Sequence, residues 1–413
     1  MEVYQQAVSI VKQLMEAGHQ AYFAGGWVRD HVMGHDSDDI DIATSAKPEE
    51  ILDLFPRTLL VGLQFGVVIV LIDGHQFEVA TFRKDVEYSN GRSPEKIEFC
   101  DAREDALRRD FTINGMFYDP LTHEIYDYVG GVEDIHKSVV RTIGEPDARF
   151  LEDRLRMIRA FRFSSRFGFV IDQETQDAIY ANAPTLFPAV AMERVWQEFT
   201  KMAQYPRFET AIIEMHRLAL LPVVFPDLEG VHLNDIKQAV LHFEQFPQGT
   251  PAILYLVQLF PDASVERMTE LCRYLRTSGR EIRTVACYFR GKELLVRDDV
   301  ADIEWVHYYA DPFSRICLQV LTAGYPEEER IAFLDSYINR WENLLSHIMR
   351  VANKQPLISG AVLQVEGVKP GPKMGQLIRE AERLVIENDI NDKQEALELL
   401  KTSSMWEGTG DEA

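Results

Sequence analysis

The sequence predicts an α+β fold in which a small mixed sheet comes first and helices follow. Two observations carry this. Over roughly the first 145 residues, short runs rich in Val, Ile, Phe and Tyr alternate with short amphipathic stretches. After "GEPDARFLED" the character changes, and to about residue 350 nearly everything has apolar residues at helical spacing.

Element by element, residues 2–17 place Val8, Ile10, Val11 and Leu14 on one helical face, and Gly18 stops them. Strands are predicted at 20–24, 39–43, 65–72, 76–82 and 113–118. A helix begins in "SAKPEEILDLF" with Pro48 in its first turn, where a missing N–H costs nothing. "EYSNGRSPE", 87–95, is a polar, turn-rich loop. Near the end, "PLISGAVLQVEGVKPGPKMG" separates two short helices with a Pro-Gly cluster, and "SSMWEGTGDEA" has the composition of a frayed tail.

Composition narrows the functional classes. Hydrophobic residues make up 46% of the 413 and charged residues 26%, the values of an ordinary globular protein. No apolar run is long enough to span a bilayer, and the N-terminus lacks a signal-peptide layout, so a cytoplasmic protein away from membranes is expected. The four cysteines, Cys100, Cys272, Cys287 and Cys317, are too scattered for a disulfide framework or a zinc site. A net charge of −23 excludes a wholly basic surface; any nucleic-acid function needs a local cluster of basic side chains.

Two stretches carry chemistry. In "GGWVRD…DID", Gly25 and Gly26 stand where a strand ends and let backbone approach a ligand closely. Asp39 and Asp41 are two residues apart, so on a strand they project to the same side, about 7 Å apart, with Ile40 and Ile42 turned to the core. Such a pair suits one or two Mg²⁺ ions, which prefer oxygen ligands and substrate phosphates. A solvated acidic strand end would account for either feature alone. Their order and spacing put a helix start beside the carboxylates, where a triphosphate could be held. Glu78, in "HQFEVATF", is the candidate third carboxylate; an ordinary exposed strand residue would look the same.

The second stretch is "EDRLRMIRAFRFSSRFGF", 152–169. Arg156, Arg159 and Arg162 recur every three residues on one broad helical face. A salt-bridged surface helix is the plain alternative, against which stands the concentration of arginine in an otherwise acidic chain. Asp153 accepts hydrogen bonds and Arg156 donates them one turn away, a pattern matching the amino group and ring nitrogen of cytosine and adenine but not of uracil or guanine. "RRDFTINGMFYD", 108–119, offers Arg109 to a phosphate or base, with Asp110 and Asn114 to order the turn or bind a ribose.

These motifs, in this order, resemble the class II (bacterial-type) CCA-adding tRNA nucleotidyltransferases and poly(A) polymerases of the polymerase-β-like superfamily. "GGWVRD…DIDIAT" resembles the family's catalytic motif, "RRDFTINGM" its ribose motif, "EDRLRMIRAFRF" its nucleotide-selecting helix and "AMERVWQEFTKM" the following neck motif. The resemblance implies a nucleotidyltransferase head over 1–145, a helical neck over 146–205, a body over 206–340 and a tRNA-binding tail over 341–402; composition separately marks 403–413 as expected disorder. The resemblance also implies Mg²⁺, CTP and ATP as substrates, and the 3′ end of tRNA as acceptor. It assigns the metals to Asp39 and Asp41 and nucleotide contacts to Gly26, Arg29, Arg109, Asp153, Arg156, Arg159 and Arg162. The reading of the residues themselves adds Glu78 as the third catalytic candidate, and Gly25, Asp110 and Asn114 to the nucleotide-binding set.

The same family includes poly(A) polymerases and enzymes that add only CC or only A. Where poly(A) polymerases carry a basic pair, "LLVGLQFGVVIV" has Leu63 and Gln64, which favours tRNA. "KDVEYSNGRSPE", 84–95, resembles the loop that full CCA-adding and A-adding members possess. An A-adding enzyme or poly(A) polymerase is therefore the alternative activity, and a catalytically silent RNA-binding protein the alternative of a different class.

Overall fold

The computed structural model describes residues 2–60, 65–87 and 96–406. The chain divides into two compact units, Met1–Gln238 and Ala239–Ala413.

The first unit opens with α1 (Glu2–Glu16), which buries Ala7, Ile10, Val11 and Leu14. There follow β1 (Ala21–Ala24), α2 (Gly26–Val32), β2 (Asp41–Thr44) and α3 (Pro48–Leu54), with Pro48 in its first turn as expected. Then come β3 (Thr58–Leu59), β4 (Val67–Ile72), β5 (His75–Thr81) and a ribbon of β6 (Arg83–Glu87) and β7 (Lys96–Phe99). Next are α4 (Ala102–Leu107), β8 (Met116–Asp119), β9 (Glu124–Asp127), α5 (Gly131–His136) and the short β10 (Val139–Val140). Helices then dominate: α6 (Pro146–Glu152), α7 (Leu155–Phe167), and after the two-residue β11 (Val170–Ile171), α8 (Gln173–Asn182), α9 (Leu186–Ala189) and α10 (Met192–Met202).

Seven strands form one sheet in the order β3-β4-β5-β2-β1-β8-β9. Its pairings are antiparallel except β2 with β5, where Ile42 stands opposite Val79. Alternation along β1 explains both layers of packing. Phe23 turns to one face, against Tyr4 and Trp27 at ring distances of 5.6 and 4.9 Å. Tyr22 and Ala24 turn to the other, joining Ala43, Phe82, Ala102, Ala106 and Phe117. Asp41 pairs with Ala24 and lies two residues before Ala43, so it projects on this second face. Ile40 and Ile42 are buried away from it, as the alternation requires.

Three details differ from the sequence expectation. Asp39 is exposed and precedes β2, which begins at Asp41. Residues Thr112–Asn114 form a single 3₁₀ turn ahead of β8, because Asp110 and Asn114 bond to each other and to the local backbone and so compete with a strand ladder. The arginine helix starts only at Leu155. Asp153 is extended (φ −142°, ψ 103°) at the end of α6, and its carboxylate accepts the Leu155 N–H at 3.0 Å, breaking 146–167 into two helices.

The second unit is helical throughout its described part. Helix Gly279–Leu295 packs Gly291 against Tyr308, a fully buried side chain of helix Asp302–Tyr309. The last helices, Gly360–Val365, Pro372–Glu387 and Lys393–Lys401, close on a separate apolar core that includes Leu363, Leu377, Ala381 and Leu400. The expected head and neck, with the opening of the expected body, fall in the first unit, and the remaining body and the tail in the second. Residues 88–95 of the proposed loop, Leu63 and Gln64, and 407–413 of the tail lie outside the described residues.

Candidate active site

A cleft of about 550 Å³ in the first unit collects the sequence motifs. Gly25, Gly26, Arg29, Asp39, Arg109, Asp110, Asn114, Asp153, Arg156, Arg159 and Arg162 all line it. Eight arginines meet four aspartates there, in a chain whose overall charge is −23. Asp41 and Glu78 are not among its lining residues.

Gly25 has φ +66°, where a β-carbon is strongly disfavoured, and the position where one would stand lies at contact distance, 3.4 and 3.9 Å, from Arg109 Nη1 and Asp41 Oδ2. The turn thus brings backbone next to a guanidinium on one side and a carboxylate on the other. The helix it opens, α2, is only seven residues long, so the arginines supply most of the positive field.

The arginines are fixed by a continuous network. Arg29, 3% exposed, holds Asp30 through Nε and Nη2 (2.9 and 2.8 Å) and donates from Nη1 to the Asn114 side-chain oxygen at 2.7 Å. Asn114 donates to Asp110 Oδ1 at 3.1 Å, and Asp110 Oδ2 accepts from both Nε (2.8 Å) and Nη2 of Arg159. Burial would raise the Asp110 carboxyl, but Arg159 and the Asn114 bond outweigh it and hold it well below the usual range. Burial lowers Arg29, with Asp30 opposing. The Phe163 ring separates three guanidiniums, with Arg162, Arg159 and Arg29 at 4.4, 5.3 and 5.7 Å from its centroid.

Two of the carboxylates become neighbours through the one parallel pairing of the seven-stranded sheet. Ile42 opposite Val79 sets Asp41 and Glu78, the preceding residues, side by side on adjacent strands. Burial, then Glu78, then Asp39 push the Asp41 carboxyl up to about 6, with Arg109 pulling the other way. Glu78 and Asp39 are thus near enough to act on the Asp41 carboxyl electrostatically, and carboxylate oxygens are the hard donors that Mg²⁺ takes. Among the described residues no three such side chains converge closely enough to hold an ion by themselves, so a cation here would draw further ligands from substrate.

Asp153 and Arg156 both line the cleft, though not on one helix as the sequence suggests. Asp153 Oδ2 meets Arg194 at 3.1 Å. Arg156 donates to Glu152 at 2.7 Å and to the carbonyls of Arg149 and Arg108 at 3.0 and 3.2 Å. Arg162 is paired with Glu198 of α10 at 2.5 Å, close but not aligned as a hydrogen bond.

Sequence reasoning missed Asp105, Arg194 and Glu198. Asp105, 1% exposed, holds Arg108 at 2.8 Å and Arg109 at 2.9 Å. Its spacing of three and four before those arginines was a visible signal. Arg194 and Glu198 sit in "AMERVWQEFTKM", but nothing local says that α10 packs on α7.

Three family models match in series. "Poly A polymerase head domain" covers 21–141, "Probable RNA and SrmB- binding site of polymerase A" covers 168–231, and "tRNA nucleotidyltransferase domain 2 putative" covers 244–400. A CCA-adding enzyme of Lactobacillus delbrueckii subsp. bulgaricus is 30% identical over 400 residues, 96% of this chain and 97% of that protein. The chain belongs to the CCA-adding enzyme family. It is a nucleotidyltransferase, and membership in the CCA-adding family implies dependence on a divalent metal. A CCA-adding enzyme of Bacillus velezensis is 43% identical over 242 residues, an alignment spanning 58% of this chain and 59% of that one. The crystal structure of a Bacillus stearothermophilus CCA-adding enzyme with CTP superposes with TM-score 0.77 at 27% identity, covering 97% of this chain and 98% of that one. A Thermotoga maritima CCA-adding enzyme complexed with tRNA shares the fold, at TM-score 0.64 and 19% identity over 97% of this chain and 95% of that one. Among the described residues no helix is long and apolar enough to cross a membrane.

Proposed function

We propose that this chain adds C, C and A in turn to the 3′ end of tRNA, using CTP and ATP without a nucleic-acid template and releasing pyrophosphate. The observation that carries the reading is the shared cleft: a glycine turn, an arginine lining and an aspartate–arginine pair for a base edge are wall to wall in it.

In this reading Arg29 and Arg109 bind the triphosphate, with Gly25 and Gly26 letting it approach the backbone. Asn114 and Asp110 orient the ribose. Asp153 accepts the exocyclic amino group of cytosine or adenine, and Arg156 donates to the neighbouring ring nitrogen. The Asp153 carboxylate already takes the Leu155 N–H and Arg194, yet two oxygens offer about four acceptor sites, so a base can join without displacing either. Asp39 and Asp41, with Glu78 beside them, would hold Mg²⁺. When bound, the cation supplies a lowered pKa for the attacking 3′ hydroxyl and charge neutralisation at the leaving phosphates. Arg159 and Arg162 keep the helix face positive while Asp110 and Glu198 fix where each guanidinium points.

The head, neck, body and tail divisions at 1–145, 146–205, 206–340 and 341–402 belong to the same reading, as does a cytoplasmic site of action, where the acceptor is found. The description of the model matched by 21–141 keeps A-only or poly(A) addition as the second reading. Product length decides between them: with tRNA lacking its terminal nucleotides, CTP, ATP and Mg²⁺, full activity yields CCA and stops. Extension only of acceptors already ending in CC, or a long A tail, would establish the second reading. No incorporation at all would leave a silent RNA-binding protein.

A further inference from the structure

Behind the cleft wall lies an arginine with no role so far. Arg149, on α6, is 9% exposed and is not among the residues that line the cleft. Its Nη2 donates to two consecutive backbone carbonyls some forty residues earlier in the chain, that of Arg109 at 2.6 Å and that of Arg108. These follow α4, where carbonyls lack helical partners and attract cations. Its Nη1 donates to Glu152 Oε2 at 2.5 Å. The same Glu152 oxygen accepts from Arg156 Nη1 at 2.7 Å, and Arg156 Nη2 returns to the Arg108 carbonyl at 3.2 Å.

These bonds close a ring from Arg149 through Glu152 and Arg156 to the Arg108 carbonyl and back. One end of the ring is Arg156, which faces the base. The other is the peptide that carries Arg109, whose guanidinium lies beside Gly25. A charge-assisted ring of this kind, with both arginines buried and Glu152 half-buried, has few alternative arrangements. Moving Arg156 to suit an ill-fitting base therefore shifts Glu152 and Arg149, and with them the carbonyls on which the Arg109 backbone is pinned.

We propose that Arg149 is a positioning residue that ties base selection at Arg156 to the placement of Arg109 at the phosphate end. The inference rests on the nucleotidyl-transfer reading above. It adds that fidelity in the absence of a template depends on a residue touching neither base nor phosphate.

The test compares the parent with Arg149→Met and Arg149→Lys on tRNA lacking its last nucleotides, measuring kcat and KM for each of the four nucleoside triphosphates. Folding of each variant is checked by amide exchange in α7. Methionine keeps much of the volume but no donor. Lysine keeps the charge but cannot span three acceptors as a planar fork does. Both should lower the preference for CTP over UTP by about tenfold, the scale of one good bidentate base contact. The loss should come mainly through kcat for CTP, with its KM within about twofold of the parent. A merely structural role would depress all four nucleotides alike, and an unchanged CTP-to-UTP ratio in folded variants overturns the coupling while leaving nucleotidyl transfer intact. If neither variant folds, Arg149 serves folding and the proposal is likewise overturned. A parent that transfers no nucleotide would instead refute the underlying activity, and the coupling with it.

Discussion

Asp110→Asn isolates the charge that holds the arginine face together. In the parent, Asp110 Oδ2 accepts twice from Arg159, while Oδ1 takes the Phe111 N–H at 2.9 Å and Asn114 Nδ2 at 3.1 Å. Asparagine can keep the Oδ1 bonds. At the other position it turns an N–H₂ group toward a guanidinium that has only donors. Breaking a buried ion pair from one side costs about 3–5 kcal/mol, and the retained bonds place this variant near the lower end. The carboxyl titrates below its unfolded value of about 3.9, so its contribution is fully present above that pH and is lost as pH falls through the folded value. The penalty should accordingly be flat between about pH 8 and 5 and shrink in stronger acid. Because the chain forms two compact units, the measurement must be local: native-state hydrogen exchange of α7 amides against urea, at pH 7 and in acid. A penalty below about 1 kcal/mol at pH 7, or one that grows on acidification, would refute the assignment of Asp110 as the ionised anchor of Arg159.

Other changes separate chemistry from scaffold. Asp41→Ala should abolish transfer of both nucleotides by removing several kcal/mol of transition-state stabilisation, while tRNA binding survives; single-turnover rates within about tenfold of the parent would contradict it. Glu198→Gln leaves Arg162 without its buried counter-charge and should cost about 3–5 kcal/mol locally, visible as faster exchange where α10 packs on α7. Gly291→Ala forces a methyl against the Tyr308 ring and Leu321, an overpacking cost of about 1–3 kcal/mol that exceeds the helix-propensity gain of about 1. Calorimetry should show the second unit melting earlier and the first unchanged. Asp153→Asn should erode the preference for CTP and ATP in four-way competition, and an unaltered preference would leave Asp153 as no more than the partner of Arg194.

Much of this site was legible because the relevant signals are short-range. The glycines at a strand end, the arginines every third residue on α7 and the local bonding of Asp110 and Asn114 all depend on neighbours within one turn. The exact strand limits were less so, since Asp39 follows the polar run "HDSD" and stays outside β2. Placing Asp153 inside the arginine helix failed for an equally local reason. Asp153 stands at the end of α6 and its carboxylate accepts the first N–H of α7, and such a junction looks like a helix interior to any periodicity argument. What could not be read was pairing between distant segments. Glu78 reaches Asp41 only through the β2–β5 register, Glu198 meets Arg162 only because α10 lies on α7, and Arg149 meets the carbonyls of 108 and 109 across some forty residues.

The contrast between an arginine-lined cleft and a strongly acidic chain has a kinetic consequence. A polyanion diffusing toward a basic protein is captured almost anywhere on it and must then search the surface. Here the net charge of −23 repels a polyanion on average, while the arginine-lined cleft is a local region of attraction, so landings away from such regions are disfavoured. Added salt weakens the repulsion and the attraction together, so the overall association rate should fall less steeply with ionic strength than the local charge of the cleft would suggest. The same net charge also bears on departure: a freed pyrophosphate that leaves the cleft is on average repelled by a chain of charge −23, which opposes rebinding and the reverse reaction.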